Sequence, residues 1–198
     1  MKLPIVKYGN PILRAKGKHI EQVDERIRAL AADMLETMHA ANGIGLAAQQ
    51  VGATLQLTVV DVSQVEDRPS MMKLNGTEID PASAMPLVLL NPRLELHEET
   101  TAGNEGCLSF PDITADIDRA ISVRLEAETL EGETVRIEAA GLLARALQHE
   151  VDHLNGILFI DRMSSATKTS LSSRLKRLQK ETQRGIKHRQ RAVAETTL

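Results

Sequence analysis

The sequence has one cysteine, Cys107, among 198 residues, so no intrachain disulfide braces the chain. It has no tryptophan, one tyrosine (Tyr8) and two phenylalanines (Phe110 and Phe159). A reader of single-stranded RNA built on stacked aromatics is thereby excluded, and the core must be aliphatic. No apolar run approaches the ~20 residues that cross a bilayer. The first ten residues carry Pro4, Lys7 and Gly9 where a secretory signal would have an unbroken apolar segment. These absences predict a cytoplasmic protein without a membrane partner. Internal repeats and low-complexity segments are lacking too. What is present suits one domain, with 42% of residues hydrophobic and 26% charged. A chain of this length buries roughly 70% of its unfolded surface and needs no covalent staple.

The formal net charge of −3 hides an asymmetry. Residues 164–198 carry nine Lys or Arg against two Asp or Glu, while the first 163 residues carry 15 against 25. Two readings fit the basic tail. It meets an anionic partner such as RNA, or it is a helical extension with a solvated face. DNA is not an expected partner. Residues 23–41 place Ile27, Leu30, Ala31, Met34, Leu35 and Met38 on one helical stripe, with Asp24 as N-cap and Asn42-Gly43 as the stop. Residues 55–62, 86–91, 121–126 and 134–138 have strand composition, the last two joined by a turn at Glu131-Gly132. Residues 141–154 read as a second helix. Leu171, Leu175 and Leu178 predict a third in the tail. Residues 64–84 contain Pro69, Asn75-Gly76 and Pro81 and are expected to form an inserted surface loop.

The most informative segment is His149-Glu150-Val151-Asp152-His153. On a helix, residues four apart share a face, so two imidazoles can hold one divalent ion and the glutamate can reach a water on it. A short pattern of this kind also arises by chance on a surface helix. A catalytic site of this type needs a third protein ligand and an open position. Metallopeptidases often supply a downstream histidine after H-E-x-x-H-x-x-G; here Gly156 is in place, but Phe159 stands where the histidine would be. Cys107 lies upstream, in Glu105-Gly106-Cys107-Leu108-Ser109. A free cysteine is either a small buried hydrophobe or a soft metal ligand. The segment Gly43-Ile44-Gly45-Leu46-Ala47-Ala48-Gln49-Gln50 allows close backbone approach, and no G-K-[ST] follows that would make it a phosphate loop.

Together, these three segments resemble the peptide deformylase family, which carries G-x-G-[LIM]-A-A-x-Q, E-G-C-L-S and Q-H-E-x-D-H-L in this order. The resemblance covers residues 3–163 and includes Asn10-Pro11-Ile12-Leu13-Arg14. It implies an α+β fold, with antiparallel sheets packed around a central helix carrying the two histidines, plus an N-terminal and a C-terminal helix. Residues 1–163 would be the catalytic domain and residues 164–198 a basic helical extension that touches the ribosome. The implied activity removes the formyl group from N-terminal formylmethionine of nascent polypeptides. The implied ion is Fe²⁺, with Zn²⁺ or Ni²⁺ able to replace it, held by Cys107, His149 and His153. Glu150 would act as general base and acid toward a metal-held water. The Gln50 amide and the Leu108 N–H would stabilise the oxyanion. Ile44 and Gly45 would pair with the substrate backbone, flanked by Glu105, Gly106 and Arg145.

Several positions stay open. Arg145 either lines the methionine pocket with its stem and sends its head to solvent, or is a surface arginine paired with an acid. Asp152 either orients a histidine ligand or joins a local charge pair. Residues 112–118 depart from the family pattern. Two other functions compete: an H-E-x-x-H metallopeptidase, and a non-catalytic metal-stabilised RNA-binding protein.

Overall fold

In the computed structural model, the backbone of residues 1–196 and the side chains of residues 1–190 are described. Helix α1 (Glu25–Ala40) begins where the Asp24 carboxylate accepts the Ile27 N–H at 2.9 Å. It stops at Asn42, whose left-handed backbone (φ 52°) supplies the break that Asn42-Gly43 predicts. Nine strands follow: β1 (Gly45–Ala47), β2 (Leu57–Val60), β3 (Ser70–Leu74), β4 (Thr77–Ile79), β5 (Leu87–Leu96), β6 (Thr100–Cys107), β7 (Phe110–Ala120), β8 (Ser122–Glu128) and β9 (Thr134–Gly141). Helices α2 (Leu142–Leu154), α3 (Phe159–Arg162) and α4 (Ser165–Thr196) complete the chain. The fold is α+β.

Seven strands form one antiparallel sheet in the order β1-β2-β5-β8-β9-β3-β4. Strands β6 and β7 form a separate hairpin. Alternation along β2 shows how the sheet is covered. Leu57 and Val59 pack with Met34 and Met38 of α1, whereas Val60 packs with Leu143 and Leu147 of α2. Side chains two apart share a face, so α1 and α2 lie on opposite faces of the sheet. Every residue of α2 except Val151 is buried. Its apolar side meets the sheet. Its polar residues Arg145, Gln148, His149, Asp152 and His153 bond to β6 and β7. The histidine-bearing helix is thus sandwiched between two sheets.

The expectation of a surface loop over residues 64–84 is corrected. Strands β3 and β4 lie there, and β3 pairs with β9 along five residues. Asn75 (φ 50°) and Gly76 (φ 85°) form the tight turn between them. A polar, alternating hairpin with Met72 facing inward reads as a loop when only its turn residues are weighed. The segment also caps α2: Pro69 O accepts the Leu142 N–H at 3.1 Å, and Ser70 Oγ accepts the Leu143 N–H at 3.0 Å. Gly141 (φ 68°) is required beside it, since a Cβ would lie 2.2 Å from Pro69 O.

All three aromatic rings join one cluster. Tyr8 stacks on Phe110 at 4.7 Å, and Phe110 meets Phe159 edge-on at 4.9 Å. Leu171, Leu175 and Leu178 of α4 pack against this cluster, so the tail stripe is seated on the body.

Candidate metal centre and cleft

Side chains from two elements meet at one end of α2. His149 and His153 come from the helix, with ring centroids 5.0 Å apart. Cys107 comes from the end of β6, where the register shifts between Gly106 and Cys107 and swings the side chain toward the helix. Cys107 Sγ lies 3.3 Å from His153 Nε2. One ligand atom from each of Cys107, His149 and His153 lies within 4.8 Å of the others. A thiolate and two imidazoles are a donor set for a borderline divalent ion.

His149 is held by a carboxylate. Its Nδ1 lies 3.0 Å from Glu105 Oε2, which leaves Nε2 for the centre. Glu105 also accepts from Arg119 Nε and Nη2, at 2.9 and 3.1 Å, and from Arg145 Nη1 at 2.9 Å. Burial alone would raise the Glu105 pKa. The bonds from His149 and Arg119 outweigh it and hold the group at about 2. Asp152 touches no histidine. It bridges Arg119 and Arg162, so the local charge-pair reading is the right one.

Arg145 corrects both expectations for its head group. The guanidinium is buried and donates to Glu105 and to the carbonyls of Thr101, Gly103 and Ile117. Three main-chain acceptors and one carboxylate offset the desolvation that made a solvent-facing head the natural expectation.

Glu150 sits beside the ligands, fully buried, with Oε2 lacking a hydrogen-bond partner. Burial pushes its pKa up to about 7. His153 Nδ1 is a second unpartnered buried atom. Burial, and then the neighbouring His149, lower the His153 pKa well below its ordinary value. Burial also opposes charge on His149, but Cys107 and Glu105 outweigh it and raise that pKa. The orphaned Glu150 oxygen beside three converging donors fits a site completed by an ion and its water.

A cleft of about 550 Å³ opens onto these groups. Ile44, Gly45 and Gln50 line one side and Glu105, Gly106 and Leu108 another, with Arg145 beneath. Gln50 Oε1 accepts the Ala47 N–H at 2.9 Å. Its Nε2 donates to Ser109 Oγ at 3.2 Å and lies 3.5 Å from Cys107 Sγ. Gly45 passes so close to Glu150 that a Cβ would lie 2.3 Å from Oε1.

The structure adds residues the motifs do not contain. Arg119 alternates inward with Ile113, Ala115 and Ile117 on β7, and that buried position in a period-two pattern is its only sequence signal. Lys7 and Arg68 also line the cleft.

A family model described as polypeptide deformylase matches residues 2–169. The chain belongs to the polypeptide deformylase family. A peptide deformylase of Methylacidiphilum infernorum is 44% identical over 180 residues, covering 91% of this chain and 94% of that protein. One of Acinetobacter baumannii is 43% identical over 183 residues, covering 92% and 94%. Among solved structures, a plant peptide deformylase of type 1B superposes with a TM-score of 0.80 at 37% identity, covering 92% of each chain. The peptide deformylase of Thermus thermophilus does so with 0.76 at 37% identity, covering 91% of this chain and 99% of that one. Deformylases are metal-dependent enzymes that take the formyl group from nascent peptides, and the Cys107, His149 and His153 cluster is a site that could hold their ion. No described helix is long and apolar enough to cross a membrane.

Proposed function

We propose that the chain hydrolyses the formyl amide of N-terminal formylmethionine with a divalent ion held by Cys107, His149 and His153. The observation that carries this reading is the convergence of those donors beside the buried Glu150 carboxylate, whose Oε2 has no partner, on the cleft. When bound, the ion supplies Lewis acidity and lowers the pKa of a water in its open position. Fe²⁺ is the expected ion, and Zn²⁺ or Ni²⁺ suit the same ligands.

Glu150 takes a proton from the attacking water and passes one to the departing amine. A pKa near 7 suits a group that must do both at neutral pH. Gln50 Nε2 and the Leu108 N–H donate to the formyl oxygen as it gains charge. One such donor is typically worth about 3–4 kcal/mol of barrier. Strand β1 is the end strand of its sheet, and β6 has only β7 as a partner. A peptide laid between Ile44-Gly45 and Gly106 therefore meets two free strand edges and pairs through its main chain. Main-chain pairing accepts any following sequence. The apolar wall that includes Ile113, Leu142 and Ala146 suits the methionine side chain.

We infer that the exposed basic residues of α4 meet rRNA at the ribosome, in the cytoplasm where the substrate emerges. Loss of ribosome co-sedimentation on removing α4 is the expected outcome.

Formate release from formyl-Met-Ala-Ser by anaerobic, iron-loaded protein tests the main reading, with acetyl-Met-Ala-Ser as control. Formate from the first and no cleavage of the second is expected. Cleavage of the acetylated peptide would favour the metallopeptidase reading instead.

A further inference from the structure

Val6, Lys7 and Tyr8 each hold a different point of the two segments that carry Gln50 and Leu108. The Val6 N–H donates to the Gln50 carbonyl at 2.7 Å. Lys7 Nζ donates to the Leu108 carbonyl at 2.7 Å. The Tyr8 N–H donates to the Ser109 carbonyl at 2.9 Å. Gln50 lies in the turn that follows β1, and Leu108 lies between β6 and β7. These turns therefore leave two separate sheets, and residues 6–8 form a strap across both.

Within the strap, Lys7 stands apart. Its side chain is half-buried and lines the cleft. Its ammonium is bonded to the Leu108 carbonyl and lies near Cys107. A half-buried ammonium bonded to a main-chain carbonyl rather than ion-paired with a carboxylate costs stability relative to an apolar residue. That cost makes sense where the charge has work at the site.

We propose that Lys7 is a positioning residue for the oxyanion-binding pair. Pairing of Cys107 with Phe110 fixes one end of the Leu108 backbone, and the Lys7 and Tyr8 bonds to the next two carbonyls fix the other. The Leu108 N–H is thereby aimed at a set direction relative to the Gln50 amide. A donor pair held in place beforehand acts in the transition state more than in the ground state. This inference rests on the oxyanion roles given above to Gln50 and Leu108.

The test measures kcat on formyl-Met-Ala-Ser and the inhibition constant of the product Met-Ala-Ser for wild type, Lys7→Met, Lys7→Arg and Gln50→Ala, each with bound metal and Tm recorded. The product lacks the formyl oxygen, so its affinity reads the cleft without the donors. Lys7→Met is expected to lower kcat about tenfold, with product affinity and metal content within twofold of wild type. Lys7→Arg should recover most of the loss. An unchanged kcat in Lys7→Met overturns the proposal, as does a kcat loss matched by weaker product binding, or one that Arg does not recover. If Gln50→Ala loses kcat while Lys7→Met does not, the oxyanion reading stands and only the role of Lys7 fails. If neither loses kcat, the oxyanion reading itself fails.

Discussion

Replacing Gly45 by alanine should disable the enzyme while leaving it folded. The added Cβ would lie 2.3 Å from Glu150 Oε1, 2.8 Å from its Cδ and 2.9 Å from its Cγ. Ordinary contact starts near 3.4 Å, so the carboxylate must retreat by about 1 Å. The backbone at Gly45 has no left-handed φ, and β1 keeps its pairing with β2 through Val60, Val59 and Thr58. Overpacking of this size costs about 1–3 kcal/mol of stability. A 1 Å misplacement of a group in the chemistry can cost on the order of a hundredfold in rate. Formate release should therefore fall by that order in Gly45→Ala, while thermal melts show a folded protein and metal analysis shows full loading. Wild-type turnover in that variant would refute the placement of Glu150 as the base.

Other expectations follow from the same geometry. Gln50→Ala should lower kcat more than it raises KM for formyl-Met-Ala-Ser; a pure KM effect would assign the amide to ground-state binding. Cys107→Ser should weaken metal retention on dialysis against a chelator, and unchanged retention would remove Cys107 from the ligand set. In metal-stripped protein, a Glu150 pKa raised from 4.5 to about 7 adds stability that is complete below pH 4.5 and lost as pH rises through 7. The loss is about 3 kcal/mol, and urea melts of Glu150→Gln should lack it; matching pH profiles would contradict it. Truncation before Ser165 removes Leu171, Leu175 and Leu178, three half-buried leucines at about 1 kcal/mol each. The melting temperature should drop roughly 6–12 °C, and an unchanged value would make α4 a free appendage.

The amphipathic stripe of α1, its Asp24 cap and the two histidines of α2 are legible in the sequence because each is a local pattern. The β6–β7 hairpin is not. Strand β6 reads Thr-Thr-Ala-Gly-Asn-Glu-Gly-Cys, with almost no apolar content, and its strand character comes from β7 and from α2 beneath it. The apolar face of β7 is interrupted by Arg119, a charged residue at an inward position. A buried arginine is stable only because Glu105 and Asp152, distant in sequence, meet it. Arg145 is similar: a pattern on one helix cannot show that main-chain carbonyls from two other strands surround its guanidinium. Lys7 has no motif at all, because its role depends on where the strap crosses.

The ion pairs of Glu105 and Asp152 bear on how the centre acquires its ion. Arg119 on β7 bonds to Glu105 on β6 and to Asp152 on α2, and Glu105 bonds to His149 on α2. The hairpin bearing the cysteine and the helix bearing the histidines are therefore fastened together by protein–protein bonds. A small zinc finger folds only as its ion binds, and the binding energy is folding energy. Here bonds that do not involve the ion join the hairpin to the helix, so ion loss should leave an intact, empty cradle. One divalent ion could then be swapped for another in native buffer, without passage through an unfolded chain.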